Sequence, residues 1–107
     1  MMFNIEDGIL SLTKGDTAYL SVKCTVNQEE FTGDGTVVLS VKKNVEDKDY
    51  TFQKEVAYGE AIVIDPQDTK KCEVGKYVYD IQLLTDKGEV FTIVQKNTFK
   101  ILQEVGV

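Results

Sequence analysis

The chain has 107 residues, of which 42% are hydrophobic and 28% are charged, and 18 acidic against 12 basic residues give a net charge of −6. This size and balance predict one globular domain spanning 1–107 and argue against a disordered chain. An acidic surface without a basic stripe repels phosphate backbones, so we expect no nucleic-acid partner. No apolar run approaches the roughly 20 residues of a membrane helix, and the start MMFNIEDGIL has no secretory pattern. We therefore expect no membrane partner and synthesis in the cytoplasm.

Alternation of apolar and polar residues predicts strands throughout the first half of the chain. A short extended segment at 9–13 is followed by the turn KGD and by a strand at 17–26. A loop at 27–35 separates that strand from another at 36–43. The side chains predicted to face the core are Ala18, Leu20, Val22, Cys24, Val26, Val37, Leu39 and Val41, whereas Val38, Ser40 and Lys42 are predicted to face outward.

The second half predicts further strands and one helical turn. The predicted segments are a weak strand at 50–58, strands at 59–65 and 76–85, and a closing pair of strands at 90–94 and 97–102. The residues QKN between the closing pair are interpreted as a bulge or a kink in one long strand. We expect 50–58 to be an edge strand because charges interrupt it. Asp65 as a cap and Pro66 at the first helical position predict a short helical turn near 66–71. Seven to eight strands with steady turns predict an antiparallel β-sandwich or a small barrel.

Two tyrosines follow Gly75 in the segment VGKYVYDIQLL. In immunoglobulin-like sandwiches a tyrosine near the start of the sixth strand packs inward, and its hydroxyl binds the backbone of the preceding corner. Tyr77 is the candidate for this bond, and Tyr79 stands where antibody domains carry their second cysteine. We therefore predict an all-β, immunoglobulin-like antiparallel β-sandwich of seven to eight strands with one short helical turn near 66–71. Because Cys72 precedes the antibody position and no tryptophan occurs, the prediction is immunoglobulin-like rather than immunoglobulin.

No constellation of residues in the sequence predicts catalysis. The chain has no histidine, which removes the commonest general base and histidine-based metal sites. Acidic clusters occur at Glu29–Glu30, at Glu46, Asp47 and Asp49, and at Asp65 and Asp68. A carboxylate pair of the glycosidase kind or a calcium site in the loops is the alternative for these acids, but solvation explains them more simply. We therefore expect no enzyme, no catalytic, cofactor-binding or metal-ligating residues, no cofactor and no small-molecule substrate.

The two cysteines, Cys24 and Cys72, could form one disulfide. The interpretation that we favour is that Cys24 lies in the core as a small hydrophobe and that Cys72 lies in a connection, because a reducing compartment disfavours disulfides. The bridged and the free state of the two cysteines are both compatible with the sequence.

Four segments carry a resemblance that spans most of the chain. They are LTKGDTAYLSV (12–22), LSVKKNVED (39–47), AIVIDPQDTKKCEVGKYVYDIQLLTDKGEVFTIV (61–94) and FKILQEV (99–105). In this order they resemble the immunoglobulin-like β-sandwich modules in virion proteins of tailed bacteriophages of Gram-positive bacteria. The amino-terminal domains of upper baseplate proteins are one such group, and head-fibre or capsid-decoration proteins are another.

The resemblance implies a non-enzymatic component of a phage particle, of the head-fibre, decoration or baseplate type. Such a protein is assembled in the host cytoplasm, resides in the virion and acts by protein–protein docking on other virion proteins. Self-association through edge strands such as 50–58 is a further expectation, with a monomer or weak oligomer before assembly. The alternative is a bacterial cell-surface or adhesion-type immunoglobulin-like binding module. A carbohydrate-binding role is less well supported, because most aromatic residues fall at inward positions.

Overall fold

The computed structural model describes residues 3–6 and 8–105 of the chain. The fold is predominantly β, with one curled six-stranded sheet, two small two-stranded sheets and one short helix. The elements are β1 Phe3–Glu6, β2 Ile9–Thr13, β3 Ala18–Leu20, β4 Thr25–Val26, β5 Glu29–Glu30, β6 Gly35–Lys42, β7 Phe52–Ala57, β8 Ile62–Ile64, α1 Pro66–Lys70, β9 Gly75–Thr85 and β10 Val90–Leu102.

The large sheet has the strand order β1-β2-β10-β9-β6-β7. Its neighbours are antiparallel except for β2 and β10, which run parallel with Phe99 opposite Leu10. The prediction of a purely antiparallel sheet is therefore wrong. β2 and β10 lie side by side and run in the same direction, so the large sheet is mixed. The expected edge position of 50–58 is confirmed, since β7 is the last strand of the described sheet.

One hydrophobic core lies between the inner face of the large sheet and the small β3–β8 sheet. Alternation along β6 and β9 turns their apolar residues to this side, so residues such as Leu39 and Ile81 are almost fully buried. Phe99 lies at the centre, with its ring 5.9 Å from Phe52 and 6.1 Å from Tyr79, and both contacts are edge-to-face. Such contacts favour one arrangement of the rings and so help to specify a single packing.

The chain crosses between the sheets through α1, as the sequence predicted for 66–71. The Asp65 backbone N–H donates to the Asp68 carboxylate at 2.7 Å, which satisfies a donor at the start of the helix. Buried Thr69 accepts a hydrogen bond from the Gly15 backbone N–H at 2.8 Å. The turn between β2 and β3 is therefore fastened to the crossover that precedes β9.

Two features of the amino-terminal half differ from the prediction. The strand expected at 17–26 is divided into β3 and β4, and β4 forms a hairpin with β5, which lies in the loop expected at 27–35. The hairpin turns through Asn27 and Gln28, whose φ angles of 51° and 69° are the positive values that a two-residue turn of this kind requires. Because neither residue is glycine, this turn has little signature in the sequence. Ten strands are present in the described residues, against the seven to eight predicted.

Val38 was expected to point outward, and it does lie on the outer face, yet only 9% of it is exposed. Its cross-strand partners are Glu55 and Gln82, and the methylene groups of long side chains beside a valine can cover it. The alternation pattern therefore predicted the face of Val38 correctly but did not predict its burial.

The last strand confirms the bulge interpretation of QKN. β10 is continuous from Val90 to Leu102, but its register with β9 shifts between Thr92 and Val94 and again between Val94 and Asn97. A bulge bends its strand and re-aims the side chains beside it.

Candidate functional site

The acidic pair Asp65 and Asp68 has a structural role. The Lys54 ammonium lies 2.8 Å from the Asp68 carboxylate and 3.4 Å from that of Asp65. Burial alone would lower the pKa of Lys54, but the hydrogen bonds and charges of Asp68 and Asp65 raise it above its ordinary value. Lys54 therefore ties edge strand β7 to the crossover helix, and these acids are committed to holding the fold.

One acid from each of the other two clusters, Asp47 and Glu30, also makes a local contact. Asp47 closes the β6–β7 connection: its carboxylate accepts from the Asn44 backbone N–H at 3.0 Å, and its carbonyl accepts from the Lys42 ammonium at 2.7 Å. Glu30 makes an exposed ion pair with Lys23 at 3.4 Å. Across residues 3–6 and 8–105, no group of three potential metal ligands lies close together. The acids singled out by sequence are therefore not brought together into one site.

The thiols of Cys24 and Cys72 are both free and both buried, so the possible disulfide is not formed. The core position predicted for Cys24 is confirmed. Burial raises the pKa of both thiols, which keeps them protonated and weakly nucleophilic. Neither cysteine is arranged as a reactive group.

The predicted tyrosine corner is confirmed. The Tyr77 hydroxyl donates to the Glu73 carbonyl at 2.8 Å, while the ring is buried in the core. The Tyr79 hydroxyl donates to the Gly8 carbonyl, which fastens β9 to the start of β2. Burial is the main cause that raises the pKa of both phenols. These tyrosines stabilise the fold, and their hydroxyls are already occupied.

A shallow depression of about 310 Å³ lies on the outer face of the large sheet. Its lining includes Ser40, Lys42, Val45, Tyr50, Val78, Asp80, Gln82 and Lys96. Residues from β6 and β9 form the floor, because Ser40 lies opposite Asp80 and Lys42 lies opposite Val78 in the sheet register. The β6–β7 connection contributes one wall through Val45 and Tyr50, of which about half is exposed.

The β10 bulge shapes the other side of the depression. Val94 pairs with Ile81 and Asn97 pairs with Tyr79, so Gln95 and Lys96 together stand opposite Asp80. Two residues facing one is the arrangement of a β-bulge, which commonly redirects a side chain at a sheet face. Lys96 lines the depression as a result.

The charged groups of the depression differ in how they are satisfied. The Lys42 ammonium binds the Asp47 carbonyl and lies 5.0 Å from the centre of the Tyr50 ring. Lys96 is exposed, and no acidic side chain in the described part of the chain comes within 4.0 Å of its ammonium group. Burial raises the pKa of the Asp80 carboxyl, and the charge of Lys42 offsets part of that rise. The lining therefore carries two lysines and one carboxylate, and the adjoining β6–β7 connection carries the acids Glu46, Asp47 and Asp49.

Non-covalent recognition is the chemistry that this arrangement can support. The lining offers ammonium donors, a carboxylate, an amide and an aromatic ring to a partner. Sequence analysis placed Lys42 outward but did not single out Tyr50, Asp80 or Lys96. The available indication was the QKN bulge opposite the alternating strand 76–85, although the sequence does not reveal which residues meet across strands.

Comparison of the chain with known protein families, with curated proteins and with solved structures finds no match. No helix in the part of the chain that the structure describes has the length and apolar character needed to cross a membrane.

Proposed function

We propose that the chain is an immunoglobulin-like β-sandwich module that acts by docking on other proteins. One feature of the fold supports this assignment. The Tyr77–Glu73 bond is the corner interaction typical of such sandwiches, and it lies at the start of the strand that follows a crossover between sheets. The sheet opposite the large one consists of β3 and β8 alone, so the proposed sandwich is an abbreviated one.

The observation that carries the docking role is the outer face of the large sheet. No other element of the described chain covers the depression, and its lining combines exposed Tyr50 and Val45 with an unpaired Lys96. Proteins with this architecture commonly recognise partners through exposed sheet faces, edges and loops. Asp65 and Asp68 are engaged by Lys54, and the thiols of Cys24 and Cys72 are buried.

We propose further that the docking takes place in a tailed-bacteriophage particle, where the chain is a head-fibre, decoration or baseplate component. The support is the ordered set of four segments described above, ending in FKILQEV at 99–105. Assembly would place the chain among other virion proteins. An adhesion-type module on a bacterial surface is the second candidate, since an open sheet face serves that role equally well.

Mass spectrometry of density-purified particles tests the proposal, using a culture in which the phage or prophage encoding the chain is produced. The expected result is the chain in the particle fraction at a fixed ratio to a capsid protein across gradient fractions. The control is a fraction from the same lysate without particles. Recovery of the chain only with the bacterial envelope would refute the particle role and favour the adhesion module.

A further inference from the structure

The first and the last strands of the described chain lie near one edge of the large sheet. β2 lies between β1 and β10, and it pairs with each of them over four residue pairs. The pairing with β1 is antiparallel, whereas the pairing with β10 is parallel. The two ladders therefore have the same length and differ in direction, and this difference decides how each responds when the two ends of the chain are pulled apart.

β1 is positioned so that tension peels it from the sheet. Phe3 lies opposite Leu12, and Leu12 lies opposite Ile101, so the start of β1 and the end of β10 lie at the same end of the sheet. Neighbouring strands are about 4.8 Å apart, so these two points are separated sideways by about 10 Å. Tension between them acts across the strands, and the residue pairs of β1 are loaded one after another from Phe3 onwards.

The direction of the load changes once β1 is released. One force then acts at Gly8, just before β2, and the other acts at Leu102, where β10 ends. Because β2 and β10 run in the same direction, these forces act along the two strands in opposite senses, which is loading in shear. The bonds of a parallel ladder are evenly spaced, so they share such a load. The Lys14 backbone N–H extends this ladder by donating to the Leu102 carbonyl at 2.9 Å.

Side-chain burial opposes sliding of β2 along β10. Leu10 and Leu12 are fully buried, whereas Ser11 between them is only partly buried. A shift by one residue would turn Ser11 towards the core and both leucines away from it. The smallest shift that keeps the faces is two residues, or about 6.6 Å, and it would undo two of the four residue pairs.

Hydrogen bonds from other elements also fasten both ends of β2. The Tyr79 hydroxyl on β9 donates to the Gly8 carbonyl at the end where the load is applied. At the opposite end, the Gly15 backbone N–H donates to the hydroxyl of buried Thr69 at 2.8 Å. β2 can leave the sheet only when these bonds break together with its ladder to β10.

We propose that the pairing of β2 with β10 is a mechanical clamp, which keeps the fold closed under tension between the two ends of the chain. β1 is the segment that is released first, and its release turns the load into the direction that the clamp resists. This inference goes beyond the docking role proposed above and does not depend on it.

Stretching of single full-length molecules in an optical trap, with one handle at each end, tests the proposal. We expect a first event at low force that frees residues 3–8, about 20 Å of chain, and a second event at higher force that frees residues 9–102, about 330 Å. Opening of the whole fold in one low-force event would overturn the proposal. Release of β1 only after the rest of the fold would overturn it as well.

A second pulling geometry separates shear from the overall strength of the fold. Handles at Lys14→Cys and Val105→Cys lie at the same end of β2 and β10, so tension opens their ladder one residue pair at a time. The native cysteines are buried and do not compete for the handles. We expect opening at a force about two- to fourfold lower than between the chain ends, because the four residue pairs no longer share the load. Equal forces in the two geometries would refute the clamp.

Two matched tyrosine variants test the fastening of β2. Tyr79→Phe and Tyr77→Phe each remove one hydroxyl bond from β9, but only Tyr79 binds the loaded end of β2. Both variants should lower the urea midpoint. Only Tyr79→Phe should lower the force of the second event, because forced unfolding follows the unfolding rate along the pulled path rather than equilibrium stability. Equal losses of force in the two variants would show that force follows overall stability and would refute the clamp.

Discussion

Replacement of Tyr77 by phenylalanine isolates the corner bond from the packing of the ring. Phenylalanine fills the same buried volume, so the variant removes only the hydroxyl that donates to the Glu73 carbonyl at 2.8 Å. A net hydrogen bond contributes about 1 kcal/mol. Glu73 is exposed, so water can reach the freed carbonyl and no further desolvation cost is expected. We therefore expect Tyr77→Phe to lower the free energy of unfolding by about 1 kcal/mol.

Urea denaturation followed by circular dichroism measures this loss. With a slope of about 2 kcal/mol per molar urea, the midpoint should fall by about 0.5 M at an unchanged slope. Tyr19→Phe is the matched control, because Tyr19 is largely exposed on β3 and its hydroxyl has no hydrogen-bond partner among the described residues. An unchanged midpoint for Tyr77→Phe, or an equal shift for Tyr19→Phe, would refute the corner bond as a source of stability.

Alkaline pH gives a second measurement on the same pair of proteins. Burial raises the pKa of Tyr77 above its ordinary value of 10.0, so the folded chain keeps a proton that the unfolded chain releases. The stability linked to this proton is complete below pH 10.0 and is lost as pH rises through the higher, folded pKa. The difference between wild type and Tyr77→Phe should therefore shrink above pH 10.0. A difference that stays constant up to the alkaline limit of folding would contradict this linkage.

Four further predictions concern other parts of the molecule. Lys54→Val should lower stability by about 1–2 kcal/mol and make the protein self-associate in sedimentation experiments, because an inward charge on an edge strand blocks strand pairing. Asp80→Asn should raise the urea midpoint at pH 7, and the gain should vanish below the ordinary carboxyl pKa of 3.8, since burial raises the pKa of this group. Gln28→Gly should stabilise by about 0.5–1 kcal/mol by relieving a positive φ angle, measured by thermal denaturation. Cys24 and Cys72 should react with a thiol reagent only in denaturant, because both are buried. Labelling of either cysteine in the native protein, or a Cys24–Cys72 disulfide detected by mass spectrometry, would contradict this.

Strand alternation predicted the central elements of the fold well. Segments 36–43 and 76–85 correspond closely to β6 and β9, because each side chain on these strands faces either a packed core or an open face. The hairpin of β1 and β2 was missed, although Asp7 and Gly8 between alternating residues are a common hairpin sequence. The β4–β5 hairpin was missed for a different reason, since it turns through Asn27–Gln28 without glycine.

The candidate site could not be predicted in the same way. Lys42, Asp80 and Lys96 come from three strands, and only the pairing of β6, β9 and β10 brings them to one depression. Strand register depends on contacts between distant parts of the chain, which a local pattern does not report. The bulge adds a second obstacle, because it turns Lys96 towards the outer face at a position where simple alternation fails.

Asp68 and Asp80 show two ways in which this fold accommodates a partly buried acid. The Asp68 side chain, 15% exposed, is compensated by the Lys54 ammonium at 2.8 Å and by the Asp65 backbone N–H. Asp80 has no ion pair among the described residues, and its raised pKa shows that its charged form is disfavoured where it stands. Asp68 is thus compensated by a direct ion pair, whereas the partly buried position of Asp80 is offset only in part by the charge of Lys42.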